Sequence, residues 1–248
     1  MDVVVLVPRR PEPWRDRLWA WVRERVEAEV DWLIVEGLSV DGPFNRSRAL
    51  NEAAKEAGDW DVAVILDADT LPDFGRLRPA VDIAAVTGEL VCPQDVFRSL
   101  SREGTKAVLA GDCAIEDAPK RWDYPRPKSS CVVVSRETWG LVGGFDERFQ
   151  GWGFEDASFY HTCEALVGIE RMAGPVWHCW HPRSTEKHEA SRLYQANQGL
   201  GQRYKAARKD ADAMRQILGE PGGPLAPFHR GGMVPVNGLA RLDLGCCG

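Results

Sequence analysis

Val3 to Val7 is an unbroken apolar run of four valines and a leucine. An apolar run without alternation marks a strand buried on both faces, as in a parallel sheet. Trp14, Leu18, Trp21, Val22 and Val26 then recur at helical spacing, with Arg and Glu on the opposite side, which predicts an amphipathic helix. Trp32 to Val35 predicts a second strand, and Val62 to Leu66 a third, again fully apolar. Between them, Asn45 to Ala57 reads as a helix that Gly58 can terminate. This β-α-β-α-β order predicts a right-handed, doubly wound α/β layer with a mostly parallel sheet flanked by helices.

The remainder is less regular. Ile83 to Cys92 is expected to hold another strand, and residues 97–128, mixing charge, Gly and Pro, read as loop-rich. Ser130 to Ser135 predicts a strand. Arg136 to Leu141 predicts a short helix closed by Gly143-Gly144, and residues 156–167 a longer one. Pro175 to Trp177 predicts a short strand. Residues 185–218 read as helical, with Gly199 and Gly201 as weak points. From Gly219 the chain turns to Gly and Pro, and 219–248 is expected to be a flexible tail.

Composition narrows the class. The chain has 248 residues, 44% hydrophobic and 27% charged, which suits one large α/β domain. A net charge of -6 lacks the broad basic footprint of a protein that binds nucleic acid by charge, though it leaves room for a local basic groove. The first apolar run is too short for a membrane span and follows an acid instead of a basic segment, so it reads as a strand and not a signal peptide. No other segment approaches the roughly 20 apolar residues of a spanning helix. Seven cysteines, an odd number with no CxxC pair, predict neither structural zinc nor a disulfide framework. Reduced thiols and a cytoplasmic protein are expected, with Cys246 and Cys247 exposed at the end.

Candidate chemistry gathers at strand ends. Pro8-Arg9-Arg10, Glu36-Gly37 and Asp67-Ala68-Asp69 all follow predicted parallel strands, where open α/β sheets bind ligands. The chain turns at Asp67-Ala68-Asp69, so both carboxylates can reach one ligand such as Mg²⁺ or Mn²⁺. A solvated turn would use the same residues. Gly151-Trp152-Gly153-Phe154-Glu155-Asp156 is more specific. Its glycines open unusual backbone conformations, and Trp152 offers a wall for a sugar ring. Glu155 and Asp156 open a helix whose dipole favours their anionic form, and a carboxylate there can accept a proton from a hydroxyl. An ordinary acidic first turn is the plain alternative. In Trp177-His178-Cys179-Trp180-His181-Pro182, either histidine can complete a metal site begun by Asp69, or serve as a hydrogen-bonded structural residue. In Phe44 to Asn51, Asn45 or Ser47 can cap the helix, and Arg46 and Arg48 can reach phosphate oxygens.

Together these segments resemble the metal-dependent glycosyltransferases of the GT-A fold, and most of all the β-1,4-galactosyltransferase group. Bacterial chondroitin polymerase, polypeptide N-acetylgalactosaminyltransferases and family 2 enzymes share parts of the pattern. The resemblance covers roughly residues 3–183. It rests on Pro8-Arg9-Arg10 loosely, on Phe44-Asn45-Arg46 through Asn51, on Asp67-Ala68-Asp69, and most closely on Gly143-Gly144-Phe145-Asp146 to Asp156. It implies a single-domain GT-A, Rossmann-like fold over residues 1–218. The nucleotide-sugar half would lie at about 1–92, the acceptor half at about 93–183, and C-terminal helices at 185–218.

By the same resemblance, the activity would be transfer of a sugar from a nucleotide-diphosphate donor, commonly a UDP-sugar, to an acceptor hydroxyl. Asp69 would ligate Mn²⁺, with Mg²⁺ an alternative. Asp67 would contact the donor's ribose or sugar, with Pro8, Arg9, Glu36 and Arg46 also on the donor side. Trp152, Gly153 and Glu155 would position the acceptor, and Asp156 would be the base of an inverting displacement. His178 and His181 are both metal candidates. Spacing favours His181, and alignment of the strand end, as in galactofuranosyltransferases, favours His178, which is preferred. Two positions depart from the pattern. Glu36 stands where many relatives carry Asp, and Phe154 replaces a usual glycine, implying a narrower acceptor pocket. The acceptor stays open among glycan, protein, lipid, small molecule and modified base. A sugar nucleotidyltransferase is a rival without support from a Gly-rich, Lys-containing first loop. A non-catalytic carbohydrate- or nucleotide-binding protein on the same fold is another.

Overall fold

The computed structural model describes residues 1–182 and 191–226. Three parallel strands open the chain: β1 (Val3–Arg9), β2 (Leu33–Leu38) and β3 (Val62–Leu66), linked by α1 (Pro13–Glu29) and α2 (Arg46–Glu56). Pro13 starts α1 at a position where its missing N–H is not needed. Asn45 caps α2 by accepting a hydrogen bond from the Arg48 N–H at 2.8 Å. After β3 come β4 (Thr70–Leu71), α3 (Phe74–Thr87), β5 (Leu90–Cys92), β6 (Val96–Leu100), α4 (Arg102–Ala110) and β7 (Lys120–Pro125). Then follow β8 (Cys131–Ser135), α5 (Arg136–Val142), α6 (Glu155–Leu166), β9 (Ile169–Arg171), β10 (Pro175–His178), α7 (Arg192–Ala207) and α8 (Ala211–Leu218).

The main sheet runs β2-β1-β3-β8-β5-β9. β8 alone runs against its neighbours β3 and β5, so the sheet is mostly parallel, as expected. Successive residues of β1 and β3 face opposite sides. Val5, Val7, Val62 and Val64 pack with α1 and α3, while Val4, Leu6, Ala63 and Ile65 pack with α2, α6 and the Phe145 turn. Each such buried Val, Leu or Ile side chain is worth about 1.5–3 kcal/mol of transfer free energy, and both faces of the strands contribute.

A second sheet, β4-β10-β6-β7, is set by pairs that sequence periodicity does not reveal. The two residues after Asp69 form β4 and pair antiparallel with β10, Leu71 opposite Trp177 and Thr70 opposite His178. The Cys179 N–H donates to the Asp69 carbonyl at 2.8 Å, extending the pairing by one residue.

The strand expected within 83–92 is present as Leu90–Cys92, and Ile83 lies before it in α3, a helix not expected from the sequence. Pro79 masks this helix in the sequence, but Asp73 caps it through the Gly75 N–H at 2.9 Å. Residues 97–128 are not loop-rich: they hold most of β6, then α4 and β7, with Leu100, Val108 and Ile115 buried. The predicted helix at 185–218 is two helices, and α7 runs through Gly199 and Gly201 without a break. Residues 219–226 pack against the domain. Glu220 pairs with Arg148 at 2.9 Å and with Arg203, and the Leu225 N–H donates to the Leu218 carbonyl. The rest of the expected tail, with Cys246 and Cys247, and residues 185–190 of the expected helix lie outside the described residues. Among the described residues, five cysteines are free and no helix is long and apolar enough to cross a membrane.

Candidate active site

The carboxyl ends of β1, β3 and β10 and the first turns of α1, α2 and α6 enclose a cleft of about 620 Å³. Pro8, Arg9, Arg46, Asp67, Asp69, Trp152, Gly153, Glu155, Asp156, His178 and His181 all line it. Of the residues singled out in the sequence, Arg48, which pairs with Glu52 along α2, and Glu36 do not. Glu36 accepts hydrogen bonds from Trp19 Nε1 at 2.7 Å and Arg23 at 2.9 Å and is ion-paired with Arg9, which also meets Asp16. Glu36 thus acts on the cleft through Arg9.

Asp69 sits at the floor, 6% exposed. Its Oδ1 lies 3.6 Å from His178 Nε2 and its Oδ2 lies 3.3 Å from His181 Nε2. The three residues each offer a ligand atom, and these lie within 4.8 Å of one another. Burial pushes the Asp69 carboxyl up, but His178, His181 and Arg15 outweigh it and hold it below its ordinary value. Burial pushes His178 down against the pull of Asp69, so its ring is neutral near pH 7 and able to ligate. Both histidine candidates are brought to Asp69: β10 fixes His178, and the chain just beyond it brings His181 to the same carboxylate.

Asp67 faces the other way. It accepts from Arg46 Nη2 at 2.7 Å, and Arg46 Nη1 is ion-paired with Asp156. The Arg46 side chain is 8% exposed and also lies over the Phe145 ring. Its expected reach to phosphate is corrected, because carboxylates on both sides hold it. The expectation that the helix dipole keeps Glu155 anionic is corrected too. Burial, then the Asp156 charge beside it, pushes Glu155 up to about 8 despite Arg46. Burial also raises Asp156, with Arg46 opposing the rise. Glu155 is thus protonated at neutral pH, and its Oε2 is buried with no partner.

The turn that delivers these acids needs left-handed backbone at Gly151, Gly153 and Phe154, with φ of 75°, 99° and 79°. The Gly151 N–H donates to the Phe44 carbonyl at 2.8 Å, and Asn197 of α7 donates to the Gln150 carbonyl at 2.8 Å. Trp152 is 39% exposed and stacks on Tyr194, with ring centroids 6.0 Å apart. Phe154 does not narrow the cleft. Its ring turns away onto Tyr194 and Gly201 of α7. Sequence reasoning missed Arg15, whose Nη1 donates to Asp69 Oδ2 at 3.1 Å. The available signal was its place in the first turn of the helix that follows the β1 end.

This fold and cleft define a protein with the GT-A glycosyltransferase fold. A family model for the N-terminal domain of galactosyltransferase matches residues 111–181. The catalytic domain of Drosophila β1,4-galactosyltransferase 7, in complex with xylobiose, is similar over 80% of each chain, with a TM-score of 0.53 and 16% identity. A mutant of that Drosophila enzyme with manganese, UDP-Gal and xylobiose is similar over 77% of this chain and 76% of its own, with a TM-score of 0.51 and 16% identity. GalNAc-T7 with UDP, GalNAc and Mn²⁺ is similar over 87% of this chain and 54% of its own, with a TM-score of 0.52 and 12% identity. No curated protein matches the sequence.

Proposed function

We propose that the protein is a metal-dependent glycosyltransferase that moves a sugar from a nucleotide-diphosphate donor, in first place a UDP-sugar, to an acceptor hydroxyl with inversion. One observation carries the reading: the Asp69–His178–His181 cluster opens into the same cleft as Glu155 and Asp156. The family match at 111–181 and the UDP-Gal, UDP and manganese complexes of the similar structures support it.

One carboxylate with two imidazoles suits Mn²⁺ better than Mg²⁺, which prefers an all-oxygen shell. Bound there, Mn²⁺ would supply positive charge beside the leaving diphosphate. Asp67-Ala68-Asp69 is the DxD motif of this reading. Asp69 holds the metal, and Asp67 faces the donor's ribose or sugar. Pro8 and Arg9 form the nucleotide wall, with Glu36 behind Arg9 and Arg46 fixing Asp67. Trp152 and Gly153 form the acceptor wall. Glu155, protonated, donates one hydrogen bond to an acceptor hydroxyl or oxygen through its unpartnered Oε2. Asp156 takes the proton of the attacking hydroxyl, and Arg46 orients it and keeps it ionised until then. Residues 1–92 then carry most of the donor side, 93–182 the acceptor side together with the two metal histidines, and α7 and α8 support the acid turn. The five free thiols among the described residues are in keeping with a cytoplasmic location.

The test is nucleoside diphosphate release from a panel of nucleotide sugars, with Mn²⁺ and with chelator. Metal-dependent release from one donor, lost in Asp69→Ala, is expected. Asp156→Asn is expected to bind the nucleotide and fail to transfer. Near-normal transfer by Asp156→Asn removes the base assignment. Pyrophosphate release from a nucleoside triphosphate would instead indicate a nucleotidyltransferase, and sugar binding indifferent to metal and nucleotide a binding protein. The anomeric configuration of the product, read by NMR, decides inversion.

A further inference from the structure

We infer that Arg15 is a donor-binding residue that competes with the metal for Asp69: a divalent cation takes Asp69 Oδ2, and the displaced guanidinium turns onto the donor's diphosphate. This rests on the function proposed above.

Arg15 Nη1 and His181 Nε2 approach the same oxygen, Asp69 Oδ2, at 3.1 and 3.3 Å. A guanidinium and a divalent cation against one carboxylate oxygen repel each other, so each weakens the other's hold on it. The cation gains two imidazoles as well as the carboxylate. Among the described residues, Arg15 gains only Asp69 and Glu12, the latter at 3.3 Å within its own helix turn. The cation therefore wins, and Arg15 is the group that moves.

Arg15 is built to move, and into the right place. Its side chain is 30% exposed and forms part of the cleft wall, whereas Asp69 is fixed by the β4–β10 pairing. The other cleft arginines are committed. Arg9 holds Glu36 and Asp16, Arg46 holds Asp67 and Asp156, and Arg10 donates to the Ser39 and Gly42 carbonyls. Arg15 keeps its charge and its planar fork when Asp69 is taken, and that fork matches two phosphate oxygens. The group it meets is the anion held by the same metal.

The consequence is a coupling of opposite signs. Removing the guanidinium relieves competition for the bare metal but removes a contact to the nucleotide. Calorimetric titrations separate the two, using Mn²⁺ alone and UDP at saturating Mn²⁺, with wild type and Arg15→Gln. Arg15→Gln is expected to bind Mn²⁺ severalfold more tightly and UDP roughly tenfold more weakly, since a charge-assisted pair is lost. Unchanged or weakened Mn²⁺ binding in Arg15→Gln overturns the competition, and unchanged UDP binding overturns the donor contact. If Arg15→Gln does not fold, Arg15→Lys carries the test: UDP must still weaken, because a point charge cannot make the forked contact. Failure of the wider reading looks different. Wild type that binds Mn²⁺ but no UDP overturns the transferase and the donor contact together, while the Mn²⁺ titration still decides the competition. Wild type that takes up no Mn²⁺ overturns both halves.

Discussion

Arg46 and Asp156 form an ion pair inside the cleft, although one opens α2 and the other opens α6, 110 residues later. The same guanidinium holds Asp67, so one cation balances two carboxylates, with Glu155 close enough to add a third charge when ionised.

Replacing that cation is expected to be severe. Arg46→Met leaves Asp67 and Asp156 facing each other in a partly dry site and is expected to destabilise the protein by about 3–5 kcal/mol near neutral pH. The loss should shrink at acidic pH, where protonation removes the repulsion. Urea denaturation near neutrality and near pH 4 checks this. An equal loss at both would mean packing, not charge, is responsible.

Glu155 gives the opposite pH signature. Its folded value is raised from 4.5 to about 8. A raised carboxyl stabilises the fold below its unfolded value, and that contribution is lost as pH rises from about 4.5 through about 8. Glu155→Gln removes this slope. Relative to wild type, the variant should gain stability steadily across that window. Denaturation curves showing a constant difference at every pH would contradict the burial account.

Both imidazoles are expected to matter for metal. His178→Ala and His181→Ala should each weaken Mn²⁺ binding by at least about tenfold, since each removes one of three ligands. Electron paramagnetic resonance of free Mn²⁺ measures this without any substrate. A variant with full affinity would strike that histidine from the set.

Gly201→Ala tests the support behind the acid turn. Alanine would gain about 1 kcal/mol of helix propensity. Its Cβ would lie 2.9 Å from the Phe154 Cβ, a backbone-anchored atom that cannot swing away. Overpacking of this kind costs about 1–3 kcal/mol. A net loss of about 1 kcal/mol is expected, with reduced transfer because Phe154 precedes Glu155. A variant as stable and active as wild type would show that the turn yields freely.

Much of this was legible before the structure. β3 has the predicted bounds, and α2 and α6 match within a residue or two, because a fully apolar run and a cap-to-glycine span carry their own limits. Asp69, Trp152 and Asp156 could be picked out as candidates because they sit at strand or helix ends with distinctive neighbours. What escaped depends on pairing between distant segments. β4 has two residues and no periodicity, yet its register with β10 places His178 beside Asp69. Pro79 hid α3, and Arg15 looked like one more charge on an amphipathic helix. The weakened acidity of Glu155 escapes a reading of the sequence because the helix dipole is visible there and the burial is not.

The seam between α2 and the segment before the acid turn has a further consequence. Asn45 donates to the Glu147 carbonyl at 2.9 Å, and Asn51 donates to the Phe145 carbonyl and accepts from the Phe145 N–H, each at 2.9 Å. The Gly151 N–H returns to Phe44. Residues 44–51 and 144–151 therefore interlock through contacts that name particular side chains and carbonyls. A chimaera that joined residues 1–92 of this chain to the remainder of a distant relative would split that lock and leave both parts with mismatched halves. The unit that can be exchanged between such proteins is the pair of segments together, so a recombination breakpoint is better tolerated outside both than between them.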